Sequence, residues 1–149
     1  MNSLASWSPK VLSLLRFVTG LLFLEHGLQK VLHFPPPPPP PPVAAGVAAA
    51  AKTAAVAAGP SLAKILGPAS GPIELVGGLL LVIGLFSRAA AFICAGEMAF
   101  AYFLAHAPRS VYPILNGGDA AILYCFIFFY LVFSGPGPIS LDAMMKRKV

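Results

Sequence analysis

Residues 74–108 read ELVGGLLLVIGLFSRAAAFICAGEMAFAYFLAHAP. Two apolar runs meet there at Ser87-Arg88, and each carries one carboxylate, Glu74 at the start of the first and Glu97 in the middle of the second. Apolar helices joined by so short a polar turn fold back as an antiparallel hairpin. A carboxylate inside such a run is costly in hydrocarbon and is tolerated where it faces a protein interior, so the hairpin predicts a membrane bundle with polar groups gathered inside it.

The pattern repeats on either side. An apolar run at 9–33 carries Glu25, and one at 117–134 has Asp119 at its mouth, so four of the five acidic residues fall one to a stretch. Of 149 residues, 58% are hydrophobic and 10% charged, and the mean hydropathy of +0.82 is far above that of a soluble domain. The expected fold is an all-α membrane protein, a single domain forming a four-transmembrane-helix bundle. Its helices fall at about 9–33, 72–86, 88–107 and 117–134, with a low-complexity Pro/Ala-rich loop at 35–70.

Local signals set the expected boundaries. Ser8 as N-cap and Pro9 at the first helical position start the first helix. The second run, from Pro72 to Phe86, would rise only ~22 Å against a ~30 Å hydrocarbon layer. It is therefore either packed within the bundle or extended upstream through residues 61–66. Ser87 and Arg88 form the turn, Pro108 stops the third helix, and Gly135-Pro136-Gly137-Pro138 ends the fourth. Pro35 to Pro42 predict a polyproline II rod, and the alanine-rich run from Val43 to Ala58 a surface spacer without chemistry.

Basic residues orient the bundle. Lys10, Arg88, Lys146, Arg147 and Lys148 fall on one side, against Lys52, Lys64 and Arg109 on the other. The positive-inside rule then places the N and C termini of a multi-pass membrane protein in the cytoplasm. The closing basic triplet reads as a lipid-headgroup anchor, with no nucleic-acid partner. No cleavable signal peptide is expected, because the first apolar run is too long and lacks a small-residue cleavage site.

In that orientation the outer half collects Glu25, His26, Gln29, Lys30, Glu74, Glu97, His106 and Asp119, while the inner half is apolar apart from Arg16 and Thr19. Glu25 and Gln29 share one helix face and His26 and Lys30 the next. Gly20 and Gly27, and Gly77 and Gly78 after Glu74, leave room for a neighbouring helix or a ligand. Plainer readings stand beside these. Glu74 and Asp119 suit a helix N-terminal dipole, and Glu97 suits an interhelical ion pair with a cation such as Lys30 or Arg109. His26 and His106 lie at one depth, but interfacial histidines with ordinary hydrogen bonds fit them better than a haem. Cys94 and Cys125 stand singly, and no metal-ligand spacing is present.

In order along the chain, GLLFLEHGLQK (20–30), ELVGGLLLVIGLF (74–86) with Ser87-Arg88, AGEMAFAYFLAHAPR (95–109), NGGD (116–119) and GPGP (135–138) before Ser140-Leu141-Asp142 resemble the DoxX family of small four-helix bacterial membrane proteins. The resemblance covers most of the chain outside residues 35 to 70, where relatives have a more ordinary loop. It implies a multi-pass protein of the bacterial plasma (inner) membrane whose relatives are linked to oxidoreductase systems, including a subunit associated with thiosulfate and quinone oxidation and partners in thiol or oxidative-stress defence. The family's recurring polar positions map to His26, Gln29, Lys30, Glu74, Arg88, His106 and Asp119.

The leading functional expectation is a membrane subunit supporting a quinone or thiol/sulfur oxidoreductase. A quinone headgroup would be held by Glu25, His26, Gln29 and Glu97, and a partner redox subunit or a second copy would be bound in the bilayer. The chain has no dinucleotide fingerprint and no cysteine pair, so electrons must come from a partner or from the quinone. The alternatives are a small proton-coupled transporter, against which the dry inner half counts, and a structural assembly protein without its own activity.

Overall fold

In the computed structural model, which describes residues 4–36 and 62–146, the chain is helical, with no strand among those residues. Helix α1 spans Ser8–Leu32, α2 Leu62–Ile83, and α3 Ser87–Ala101, prolonged by a π turn at Tyr102–His106. A single turn, α4 (Pro113–Asn116), leads into α5 (Asp119–Ser134), and a short α6 (Leu141–Lys146) follows. The proline tract beyond Pro36 and the alanine-rich run lie outside the described residues.

Three boundaries differ from expectation. Ser8 is not the N-cap, because a 3-10 turn at Ala5–Trp7 runs straight into α1 and Ser8 already has helical angles of φ −47° and ψ −45°. Pro9 keeps its place in the first turn, where no amide is required. Helix α2 takes the upstream alternative, so the end of the 35–70 segment is helical, and its 22 residues rise ~33 Å. Ser87 and Arg88 do not form the turn. Gly84 (φ +71°) and Phe86 (φ +49°) reverse the chain, and Ser87 opens α3.

The cause of that last shift lies at the other end of the chain. The two oxygens of Asp142 accept the amides of Phe86 and Ser87, both at 2.9 Å, and so satisfy donors that the first turn of α3 leaves unpaired. A carboxylate there also complements the helix dipole.

Glycines set the helix spacing. A Cβ at Gly78 would lie 2.6 Å from the Leu24 backbone, one at Gly20 would lie 2.9 Å from the Leu81 side chain, and one at Gly27 would overlap the backbone of Glu74 and Leu75. Helices α1 and α2 thus run antiparallel at backbone contact, as small-residue stripes permit. On its other side α2 meets α3, where Gly77 faces the sulfur of Cys94. Phe23, Leu81, Cys94, Met98, Phe128 and Leu131 form the shared core, with Phe128 edge-on to Phe23 at 4.8 Å.

One end of the bundle is closed by arginines. Buried Arg16 donates to the carbonyls of Leu81 and of Val82 (3.0 Å) at the end of α2, and to Pro136 (2.9 Å) and Ile139 (2.6 Å) beyond α5. Arg88 donates to the carbonyls of Val132 and of Phe133 (2.8 Å) at the end of α5. Both arginines neutralise carbonyls that have no intrahelical partner. The N-terminal half of α1 and the chain's C-terminal segment therefore meet at the same end.

The outward surface is apolar. Phe92, Phe100, Phe103, Phe126 and Phe133 are all more than half exposed, which suits hydrocarbon and not water. Ala5–Leu32 and Ser87–His106 are long and apolar enough to cross a membrane, and Gly67–Ile83 and Asp119–Ser134 are shorter apolar helices. The fold is that of a helical membrane protein.

Candidate functional site

The end of the bundle opposite Arg16 carries the polar cluster. Lys30 in the last turn of α1 donates to Glu74 Oε1 at 2.7 Å and to Ser70 Oγ at 3.1 Å, both on α2. Glu74 is only 2% exposed, whereas the Lys30 side chain is 46% exposed. Ser70 precedes Glu74 by four residues and so shares its helix face. Its hydroxyl donates in turn to the Gly67 carbonyl at 2.9 Å.

Glu97 enters from α3. The register that sets Gly77 against Cys94 places Glu74 and Glu97 opposite each other one helical turn further along, within electrostatic reach of each other and of Lys30. Oε2 of Glu74 and Oε2 of Glu97 are both buried without a hydrogen-bond partner among the described residues. Orphaned buried oxygens of this kind are rare and call for a proton or a ligand.

Glu97 also lines a cavity of about 590 Å3 between α1, α2 and α3. Its polar margin is Lys30, Ser70, Glu97 and His106, and its walls include Ile73, Phe92, Phe100 and Leu104. An apolar cleft of this size with few polar groups has the usual make-up of a small-molecule site. His106 sits in the π turn, a helix irregularity common at functional sites. Its Nδ1 lies 3.1 Å from the Asn116 carbonyl, which can only accept, so Nδ1 carries the proton and Nε2 is left as an acceptor in the neutral ring. Tyr102 stacks on the same ring at 6.5 Å.

The other predicted residues lie elsewhere. Glu25 is exposed, and His26 donates from Nδ1 to the Leu22 carbonyl at 2.8 Å while standing edge-on to Tyr124. Gln29 donates to the Pro35 carbonyl at 3.3 Å. Asp119 is exposed in the first turn of α5, and Arg109 is exposed beyond the π turn. Among the described residues the ion pair of the cluster is Lys30–Glu74, so neither Lys30 nor Arg109 pairs directly with Glu97. The expected convergence of four carboxylates is thus a convergence of two, with Lys30 and His106. His106 lines the cavity and His26 does not.

Sequence reasoning missed Ser70, because the second helix was bounded at Pro72. It also missed Asp142, whose amide-capping partners lie more than fifty residues away. A second cavity, of about 380 Å3, lies at the other end beside Lys10, Leu14, Arg16 and Phe17. Its guanidinium is already engaged by four carbonyls, so it offers a ligand less.

Comparisons with known proteins agree with this architecture. The sequence model of the DoxX family matches residues 11–107, and an overlapping one, described as TQO small subunit DoxD, matches residues 69–149. An uncharacterized protein of Haemophilus influenzae is 39% identical over 151 residues, covering 99% of this chain and 100% of the relative. No solved structure matches the chain. With the DoxX match running from the first turn of α1 through the π turn that carries His106, the chain belongs to the DoxX family.

Proposed function

We propose that this protein is a membrane subunit of an oxidoreductase system, binding a quinone-type headgroup in the cavity bounded by Lys30, Glu97 and His106. The carrying observation is the cavity itself, an apolar cleft of about 590 Å3 whose polar groups lie along one margin. A quinone ring is flat and apolar with oxygen at its ends, so it needs aromatic and aliphatic walls and a few hydrogen-bonding groups. Phe92 and Phe100 supply such walls, and the third N–H of Lys30, beyond those given to Ser70 and Glu74, supplies a donor. A bound quinone would supply two-electron redox chemistry, and the protein would supply binding and orientation.

The family description as a TQO small subunit supports a second, redox-active subunit as partner. In this reading α1, α2, α3 and α5 all cross the bacterial inner membrane, with both termini cytoplasmic and the cavity in the outer half. The closed Arg16 end fits that placement, because basic residues concentrate there.

The test is purification of the full chain in mild detergent, with analysis of extracted quinone and co-purifying subunits, and titration with a short-chain ubiquinone. Saturable binding that is blocked by Leu104→Trp, which fills the cavity, is the expected result. Absence of both extracted quinone and saturable binding would overturn the reading.

A further inference from the structure

The Glu74–Glu97 pair has more acid than its surroundings can neutralise. One ammonium, Lys30, faces two carboxyl groups across α1, α2 and α3, and its bond goes to Glu74 Oε1. The remaining neighbours do not help. Cys94 is a buried free thiol beneath the pair and brings no cation, and His106 at the far margin has its donor nitrogen turned to Asn116. Both Oε2 atoms are left buried and unpartnered at facing positions. Two like charges so placed in a poorly solvated interior cannot both persist, and with one ammonium for two carboxyl groups the pair holds a proton.

Deepening the quinone reading and resting on it, we propose that the Glu74–Glu97 pair holds a single proton, carried by Glu97, which has no cation of its own. Glu97 thereby presents a neutral carboxyl to the cavity, which selects the oxidised, carbonyl-bearing form of the headgroup. The triad of Lys30, Glu74 and Glu97 is then neutral overall, which suits its depth in the bundle. Oxidised quinone offers only acceptors. A carboxylate at Glu97 would repel them, whereas a carboxyl can point its O–H at the ring, beside the spare Lys30 N–H. A hydroquinone O–H meets two donors at the Lys30–Glu97 end, and His106 Nε2 at the far margin is the acceptor left to it, so it gains less. Binding alone is at issue, and no bond to the ring is made or broken.

Two measurements on the full chain in detergent or nanodiscs test this. Infrared difference spectra of the wild type against Glu97→Gln and Glu74→Gln should show, at neutral pH, a protonated-carboxyl C=O band that shifts in D2O and disappears in both variants. A short-chain ubiquinone should bind about tenfold or more tightly than its hydroquinone, and Glu97→Gln should keep that preference within about threefold because its amide still donates. Absence of the carboxyl band overturns the proton on Glu97. Equal binding of the two redox forms, or loss of quinone binding in a folded Glu97→Gln protein, overturns the selection. Binding of neither form overturns the quinone reading itself, while the band still decides the proton on Glu97.

Discussion

Lys30 and Glu74 form an ion pair with one wet partner and one dry one, at 2.7 Å and with side-chain exposures of 46% and 2%. That asymmetry makes the two single substitutions unequal. Lys30→Met leaves the buried Glu74 carboxylate without a cation, and should cost ~2–3 kcal/mol of stability, somewhat under the range for a fully buried pair. Glu74→Gln leaves Lys30 free to hydrate and still accept-paired through the amide oxygen, and should cost less than half as much. Thermal melts in one detergent decide it, and equal losses would show that Lys30 is as poorly hydrated as Glu74.

The glycine contacts give a steric prediction with a built-in control. Gly27→Ala and Gly78→Ala put a methyl into the backbone of the facing helix and should each cost ~1–3 kcal/mol or prevent folding. Gly96→Ala lies within α3, and an added Cβ there meets nothing within 4 Å. It should stabilise by ~0.5–1 kcal/mol through helix propensity. A neutral Gly27→Ala would show that α1 and α2 are not at backbone contact.

Arg16 tests whether one guanidinium ties the two ends of the chain together. It spans carbonyls at Leu81, Val82, Pro136 and Ile139, a spread that a lysine ammonium cannot cover. Arg16→Lys should therefore lose most of what Arg16→Met loses, about 3 kcal/mol or more, given the worth of several charged hydrogen bonds. Full rescue by lysine would reduce the role of Arg16 to its charge.

Asp142 makes stability depend on pH at the acid end. Burial works to raise its carboxyl, but the amides of Ser87 and Phe86 and the nearby Lys146 outweigh that and hold it below the ordinary carboxylate range. A depressed folded value means that its contribution is fully present above the unfolded value of about 3.9 and is lost as pH falls through the lower folded value. Asp142→Asn should cost ~1–2 kcal/mol at neutral pH, typical of a lost cap, and flatten the acid limb of the stability profile. An unchanged acid limb would assign that limb to another carboxyl.

Topology is tested by labelling single cysteines with an impermeant reagent. Ser3→Cys and Met145→Cys should react from the same side of the membrane, and Ser110→Cys from the other. The structure brings the first and last described helices to one end through Arg16, so opposite labelling of Ser3 and Met145 would contradict the bundle as well as the four-span reading.

Sequence alone determined that this chain is a helical membrane protein of the DoxX type. It also marked Gly20, Gly27, Gly77 and Gly78 as close-approach positions. Those properties are local, because apolar run length and small-residue spacing are written within single helices. Which carboxylates meet was settled by tertiary structure. With the turn at Ser87-Arg88, Glu74 and Glu97 fall out of register, whereas reversal at Gly84 to Phe86 sets them opposite each other. That reversal is held by Asp142 from the end of the chain, and the lengthening of α2 to Leu62 brings Ser70 to Lys30. Capping across more than fifty residues leaves no periodicity in the sequence, so only the folded chain shows Glu25 and Asp119 turned away and Lys30, Glu74 and Glu97 brought together.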